Sequence, residues 1–116
     1  MSAPKSLGKA GKALWASIAT RYELRPDELS RLEQACATAD MIAELEAARE
    51  DEGRPLTTSG SMGQQVIHPY IGELRVQRKD LAAHLAALKL PDEQAAPQDA
   101  SSAARKAAAS RWSRGA

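Results

Sequence analysis

Apolar residues along this chain fall into three helical stripes separated by proline and glycine. In the first, Leu14, Ile18 and Tyr22 recur at i, i+4 and i+8 with Trp15 beside them, which predicts a helix over about residues 8–22 with Ser6 as its cap. The second begins at Pro26, a residue suited to the first helical position, with Asp27 and Glu28 on the positive end of the dipole. Leu24 and Leu29 stand where a hydrophobic staple requires them. Its seam reads Leu29, Leu32, Cys36, Ala39, Ile42, then Leu45 or Ala43, and predicts a helix to about Glu52, where Gly53 ends it. The third seam is Ile71, Leu74, Arg78, Leu81, Leu85 and Leu88, spaced 3, 4, 3, 4, 3 from a start at Pro69 to a stop before Pro91. Arg78 alone breaks it.

Between the long helices, residues 53–68 carry Gly53, Pro55, Gly60 and Gly63. A connection this long is uncommon without structure of its own. Residues 56–58 and 65–67 are short apolar-polar runs that pair as a small β-hairpin across Ser59 to Gln64. Beyond Pro91, residues 91–104 read as a linker rich in Pro, Gln, Ala and acid, and Ala103 to Arg114 as a short basic segment. The expected architecture is all-α. A short N-terminal helix (1–25) precedes a long antiparallel hairpin (26–90) joined by a Gly-rich loop or β-hairpin, with a basic tail over 91–116.

Composition sharpens this picture. A chain of 116 residues without Phe has a thin core built from Leu, Ala and Ile, and thin cores favour help from partner subunits. Two long seams cannot bury themselves fully in a two-helix monomer, so the hairpin is the expected oligomerisation unit. Leu29, Leu32, Ile42, Leu74, Arg78, Leu81, Leu85 and Leu88 are the contact residues. One cysteine excludes an internal disulfide and fits a reducing cytoplasm. No apolar run reaches the roughly 18 residues of a membrane span, and no signal peptide precedes the first helix, so a soluble intracellular protein is expected.

The formal net charge of +1 hides strong segregation. Residues 1–22 hold Lys5, Lys9, Lys12 and Arg21 and no acid, and residues 105–116 hold Arg105, Lys106, Arg111 and Arg114 and no acid. Between them, residues 23–52 carry ten Asp and Glu against three Arg. Acid-free basic ends, each with a tryptophan (Trp15 and Trp112), suit phosphate contact and base stacking, and also suit plain solubility. The acids Asp40, Glu44, Glu46, Glu50, Asp51 and Glu52 are either a solvated face or partners for Arg75, Arg78 and Lys79, within one hairpin or between copies. A guanidinium on an apolar seam favours pairing, because a lone buried charge is costly.

No catalytic constellation emerges. Gly8 to Ala13 resembles a phosphate loop, but its glycines are two residues too close and the following Ser or Thr is missing. Gly8 and Gly11 weaken the first helical turns and permit a close backbone contact, with phosphate as one candidate for it. Ser59 to Gly63 lacks the first glycine of a nucleophile elbow. His68 reads as a helix-start residue, His84 as a helix-surface residue near Asp80, and Cys36 as a small core residue. No metal ligand set and no cofactor site are expected.

The order and spacing of several segments resemble the terminase small subunit family of bacteriophages, in particular its short actinobacteriophage-type members. The likeness lies in Leu7 to Trp15, Tyr22 to Glu28, Ala35 to Asp40, Thr58 to Gln64, His68–Pro69, and Ala104 to Ala108 with Arg111–Trp112. The resemblance implies a non-catalytic component of a genome-packaging motor in the cytoplasm of an infected bacterium. It implies a ring of identical copies that binds double-stranded viral DNA and presents it to the large subunit, which holds the ATPase and the nuclease. Many members carry an N-terminal helix-turn-helix. None is evident here, and the acidic second helix is too long to serve as a recognition helix. The DNA contacts expected are Lys5, Lys9, Lys12 and Arg21, with Arg105, Lys106, Arg111 and Arg114 as a second patch. Two other readings stand beside this one: a dimeric DNA-binding transcriptional regulator, and a structural phage adaptor without affinity for DNA.

Overall fold

The computed structural model describes residues 2–91, so the linker, the basic tail and its Arg105, Lys106, Arg111, Trp112 and Arg114 lie outside the described residues. Within them the chain forms α1 (Lys9–Ala19), α2 (Pro26–Asp51), β1 (Thr57–Ser59), β2 (Gln65–Ile67) and α3 (Pro69–Leu88). Helix α2 packs against both α1 and α3. The two strands form one antiparallel ladder, Thr57 opposite Ile67, Thr58 opposite Val66 and Ser59 opposite Gln65.

Each long helix is bounded by local chemistry. At the start of α2, Arg25 is extended, Pro26 occupies the first position, and Glu28 Oε1 accepts the Arg25 N–H at 2.8 Å. That is half of a capping box, since a guanidinium has no acceptor to complete the other half. The end of α2 is a Schellman motif. The Gly53 N–H donates to the Glu50 carbonyl and the Arg54 N–H to the Arg49 carbonyl, with Gly53 at φ 82°. At the start of α3, His68 is the cap: its Nδ1 accepts the Tyr70 N–H at 3.2 Å, which places the ring proton on Nε2, 3.1 Å from Glu52 Oε1. Helix α3 ends at Leu88, with Lys89 left-handed at φ 51°, two residues before the proline expected to stop it.

The core sits at one end of the hairpin, where Leu7, Trp15, Ile18, Leu32, Cys36 and Leu88 meet. Leu24 and Leu29 pack on it as the staple requires. The stripe that α1 buries differs from the expected one. Gly11, Trp15 and Ile18 are buried, while Leu14 and Tyr22 are half-buried. Both stripes have helical spacing, and a glycine-lined approach to α2 decides between them. The N-terminal segment therefore shares one core with the hairpin.

The seams of α2 and α3 close on each other inside one chain. Leu32, Leu74 and Leu88 are 0%, 1% and 1% exposed, which withdraws them from the contacts between copies expected of them. Leu29, Ile42, Leu81 and Leu85 are half-buried. Arg78 lies at the rim, where its Nη2 reaches Glu46 Oε1 at 2.6 Å with more than half of its side chain exposed. Its pairing is thus within the hairpin and costs little desolvation. Arg54 approaches the same carboxylate at 3.4 Å, and hydrogen bonding to Arg78 and then Arg54 holds Glu46 below the usual carboxylate range. Exposed pairs of this kind add little stability, whereas a buried leucine adds several kilocalories. Leu74→Ala is expected to cost about 2–5 kcal/mol in denaturant titration. Glu46→Gln should cost far less, its effect vanishing as the pH falls through the lowered carboxylate value.

Candidate nucleic-acid interface

The basic head is held in place by one carboxylate. Helix α1 begins at Gly8, which has no side chain to cap it. Asp40 of α2 does so instead: Oδ2 accepts the Gly8 N–H and Oδ1 the Gly11 N–H, each at 2.7 Å. These are charge-assisted bonds at the positive end of a helix, the geometry in which an anion is most stabilising. Ser6, expected as the cap, has no such role. The glycines do permit a close backbone contact, and its partner is Asp40 of the same chain rather than phosphate. A Cβ on Gly11 would stand 2.5 Å from Asp40 Oδ2 and 2.7 Å from the Cys36 carbonyl oxygen. Glycine at this position is what allows α1 and α2 to approach.

This seating sets which head residues face solvent. Lys5, Lys9 and Lys12 are exposed around the first turns of α1. Arg21 is also exposed, in the turn after α1, and it has an interaction within the chain. It lies nine residues beyond Lys12, past the C-terminal end of α1. Lys5, Lys9 and Lys12 thus lie toward the start of α1 and Arg21 beyond its end. Trp15, by contrast, is 4% exposed and packed in the core, so the head offers no aromatic platform for stacking. What remains is three long ammonium side chains without a base-reading element among the described residues of the head. The chemistry such a surface offers an anion is charge alone.

The other candidate residues have structural roles. Cys36 is fully buried, and burial, then the Asp40 and Glu33 carboxylates, push its thiol up to about 11. A thiol with so little thiolate is unreactive. His68 is the α3 cap, and its partner Glu52 also takes a hydrogen bond from the Tyr70 hydroxyl, which raises the Tyr70 pKa. His84 is half-buried, its Nδ1 without a partner in the structure. Among the described residues no group of His, Cys, Asp and Glu is arranged to hold a metal ion, and no helix is long and apolar enough to cross a membrane. The Asp40 cap is the functional positioning that sequence reasoning missed. Its only signal was the pair of glycines in the first turns of α1.

Comparison with protein-family models, curated proteins and solved structures gives no match to this chain.

Two outcomes test this geometry. Gly11→Ala is expected to lose about 1–3 kcal/mol through overpacking, and Asp40→Ala about 1–2 kcal/mol through removal of the cap, both measured by thermal and denaturant unfolding. The Cys36 thiol should react with a disulfide reagent only after unfolding. Because its pKa is raised in the folded chain, its contribution to stability is full below the ordinary thiol range and is lost as the pH rises toward about 11. Cys36→Ala should flatten that alkaline slope.

Proposed function

We propose that this chain is a non-catalytic subunit that binds double-stranded DNA and assembles with its own copies into a ring. In this reading it is a terminase small subunit, which presents viral DNA to a separate ATPase and nuclease within an infected bacterial cell. The observation that carries the proposal is the acid-free head, whose Lys5, Lys9 and Lys12 stand exposed around the capped start of α1. Clustered ammonium groups on a fixed helix end release counterions from the DNA backbone and bind it without reading its bases. The segment resemblance supplies the packaging context. Arg21 is an outlying contact, and Arg105, Lys106, Arg111 and Arg114 form the second patch, directed at DNA or at the large subunit.

A second reading, a structural adaptor without DNA affinity, is favoured by the burial of Trp15 and by the carboxylate already seated on α1. One titration separates the two. Fluorescence anisotropy of labelled duplex DNA across a salt series is expected to give a steep slope for the parent. Replacing Lys5, Lys9 and Lys12 with Gln should lower that slope by roughly 0.9 for each phosphate the head no longer neutralises. An unchanged slope clears the head and moves the DNA-binding role to the tail. No binding by the parent at low salt establishes the adaptor.

A further inference from the structure

The leucine seams are spent within one chain, yet two other faces of the hairpin remain uncovered, and they are complementary. On α3, Gly72, Arg75, Val76, Lys79, Ala83 and Ala86 fall within about 100° of one another, opposite the face turned to α2. Val76 is 47% exposed there, and a Cβ on Gly72 would meet nothing within 4 Å. The face opens at its first turn into a hollow of about 370 Å³ lined by Ile67, His68, Ile71, Gly72 and Arg75. Ile67 is 70% exposed beside it. Arg75 and Lys79 are exposed, and no ion pair within the described residues engages either.

On α2, Ala37, Met41, Glu44 and Asp51 fall within about 80° of one another. Met41 is 43% exposed, and a groove of about 700 Å³ runs beside it between α2 and the start of α1, with Lys9 on the α1 rim. The remaining acids of this half of α2 have partners in the chain: Asp40 caps α1, Glu46 and Glu50 hold Arg54, and Glu52 holds His68. Glu44 and Asp51 are exposed, and no ion pair within the described residues engages either. One face is therefore apolar with a basic rim, and the other apolar with Glu44 and Asp51 on α2 and Lys9 on the opposite, α1 rim.

A surface carrying both halves of a complementary pair in different places on one molecule makes head-to-tail contacts with its own copies. We infer that the outer face of α3 (Ile67, Gly72, Arg75, Val76, Lys79) docks on the outer face of α2 (Met41, Glu44, Asp51) of a second copy. Val76 and Met41 supply the apolar contact, and Gly72 lets the backbones approach. Arg75 and Lys79 face Glu44 and Asp51. The contact is heterologous, so each copy offers an acidic face to one neighbour and a basic face to the other. It deepens the ring in the proposed function by naming its surfaces, and it rests on self-assembly alone, not on DNA.

Native mass spectrometry of the full chain over a concentration series tests the inference. All four charges lie on the surface, and circular dichroism checks that each variant keeps the parent fold. The parent is expected to assemble. Arg75→Glu with Lys79→Glu should raise the assembly midpoint about tenfold or more, and Glu44→Lys with Asp51→Lys should do the same. Carrying all four reversals in one chain restores the opposite charges and should recover assembly. Mixing the two double variants should recover assembly with the two alternating, because both faces of each are complementary to both faces of the other. A parent that stays monomeric overturns the inference, as does a Glu44→Lys, Asp51→Lys protein that assembles like the parent, the outcome of a symmetric α3–α3 contact. Failure of the DNA reading appears separately, as a salt slope indifferent to Lys5, Lys9 and Lys12.

Discussion

The geometry of the N-terminal half hangs on the carboxylate of Asp40. A helix begins with N–H groups that have no intrahelical partner, and α1 begins on a glycine that cannot satisfy them. By reaching two of them at 2.7 Å each, Asp40 fixes where α1 starts and how it rotates against α2. That rotation turns Trp15 and Ile18 into the core and leaves the lysines in water. The same contact requires the small residue at position 11, because any Cβ there would strike both the carboxylate and the Cys36 carbonyl. One ion and one missing methyl group thus set the character of the whole head.

The acidity of α2 acquires a different meaning once its partners are known. It is neither simply a solvated face nor a uniform ladder of bridges to α3. Asp40 is spent on α1, Glu46 ties Arg78 of α3 and Arg54 of the loop, Glu50 also holds Arg54, and Glu52 fastens the His68 cap. Between them these acids tie α1, α3 and the loop after α2 to the long helix, which makes α2 the spine that the other elements grip. Exposed pairs contribute modestly to stability, so their larger effect is on register and placement. Only after these are assigned do Glu44, Asp51, Arg75 and Lys79 remain as exposed charges without an ion pair among the described residues.

A division of labour follows for the apolar residues. Leu32, Leu74 and Leu88 hold the hairpin shut from within, and Met41, Val76 and Ile67 remain on its outside. A seam with a regular 3,4 spacing looks the same in sequence whether it closes on its own chain or on a neighbour. Here it closes on its own chain, and the outer faces are the surfaces that the proposed assembly uses.

Much of the fold is legible in the sequence because its signals are local. Pro26, Gly53 and Pro69 bound the long helices, since proline fits a first turn and glycine a left-handed exit. The small β-hairpin forms with its second strand at 65–67 as expected and its first at Thr57–Ser59, one residue beyond the expected 56–58. What only the tertiary structure decided is what depends on residues far apart in the chain. The Asp40 cap joins positions 29 and 32 residues apart, and no local rule links a carboxylate in mid-helix to a pair of glycines at another helix's start. Trp15 could have joined the lysines at the surface, because two stripes of α1 share helical spacing and only the partner helix selects between them. The sequence determines which residues can form each element. Which of its charges and apolar groups are consumed inside the molecule, and which are left to meet another, is settled when α1 and α3 close on α2.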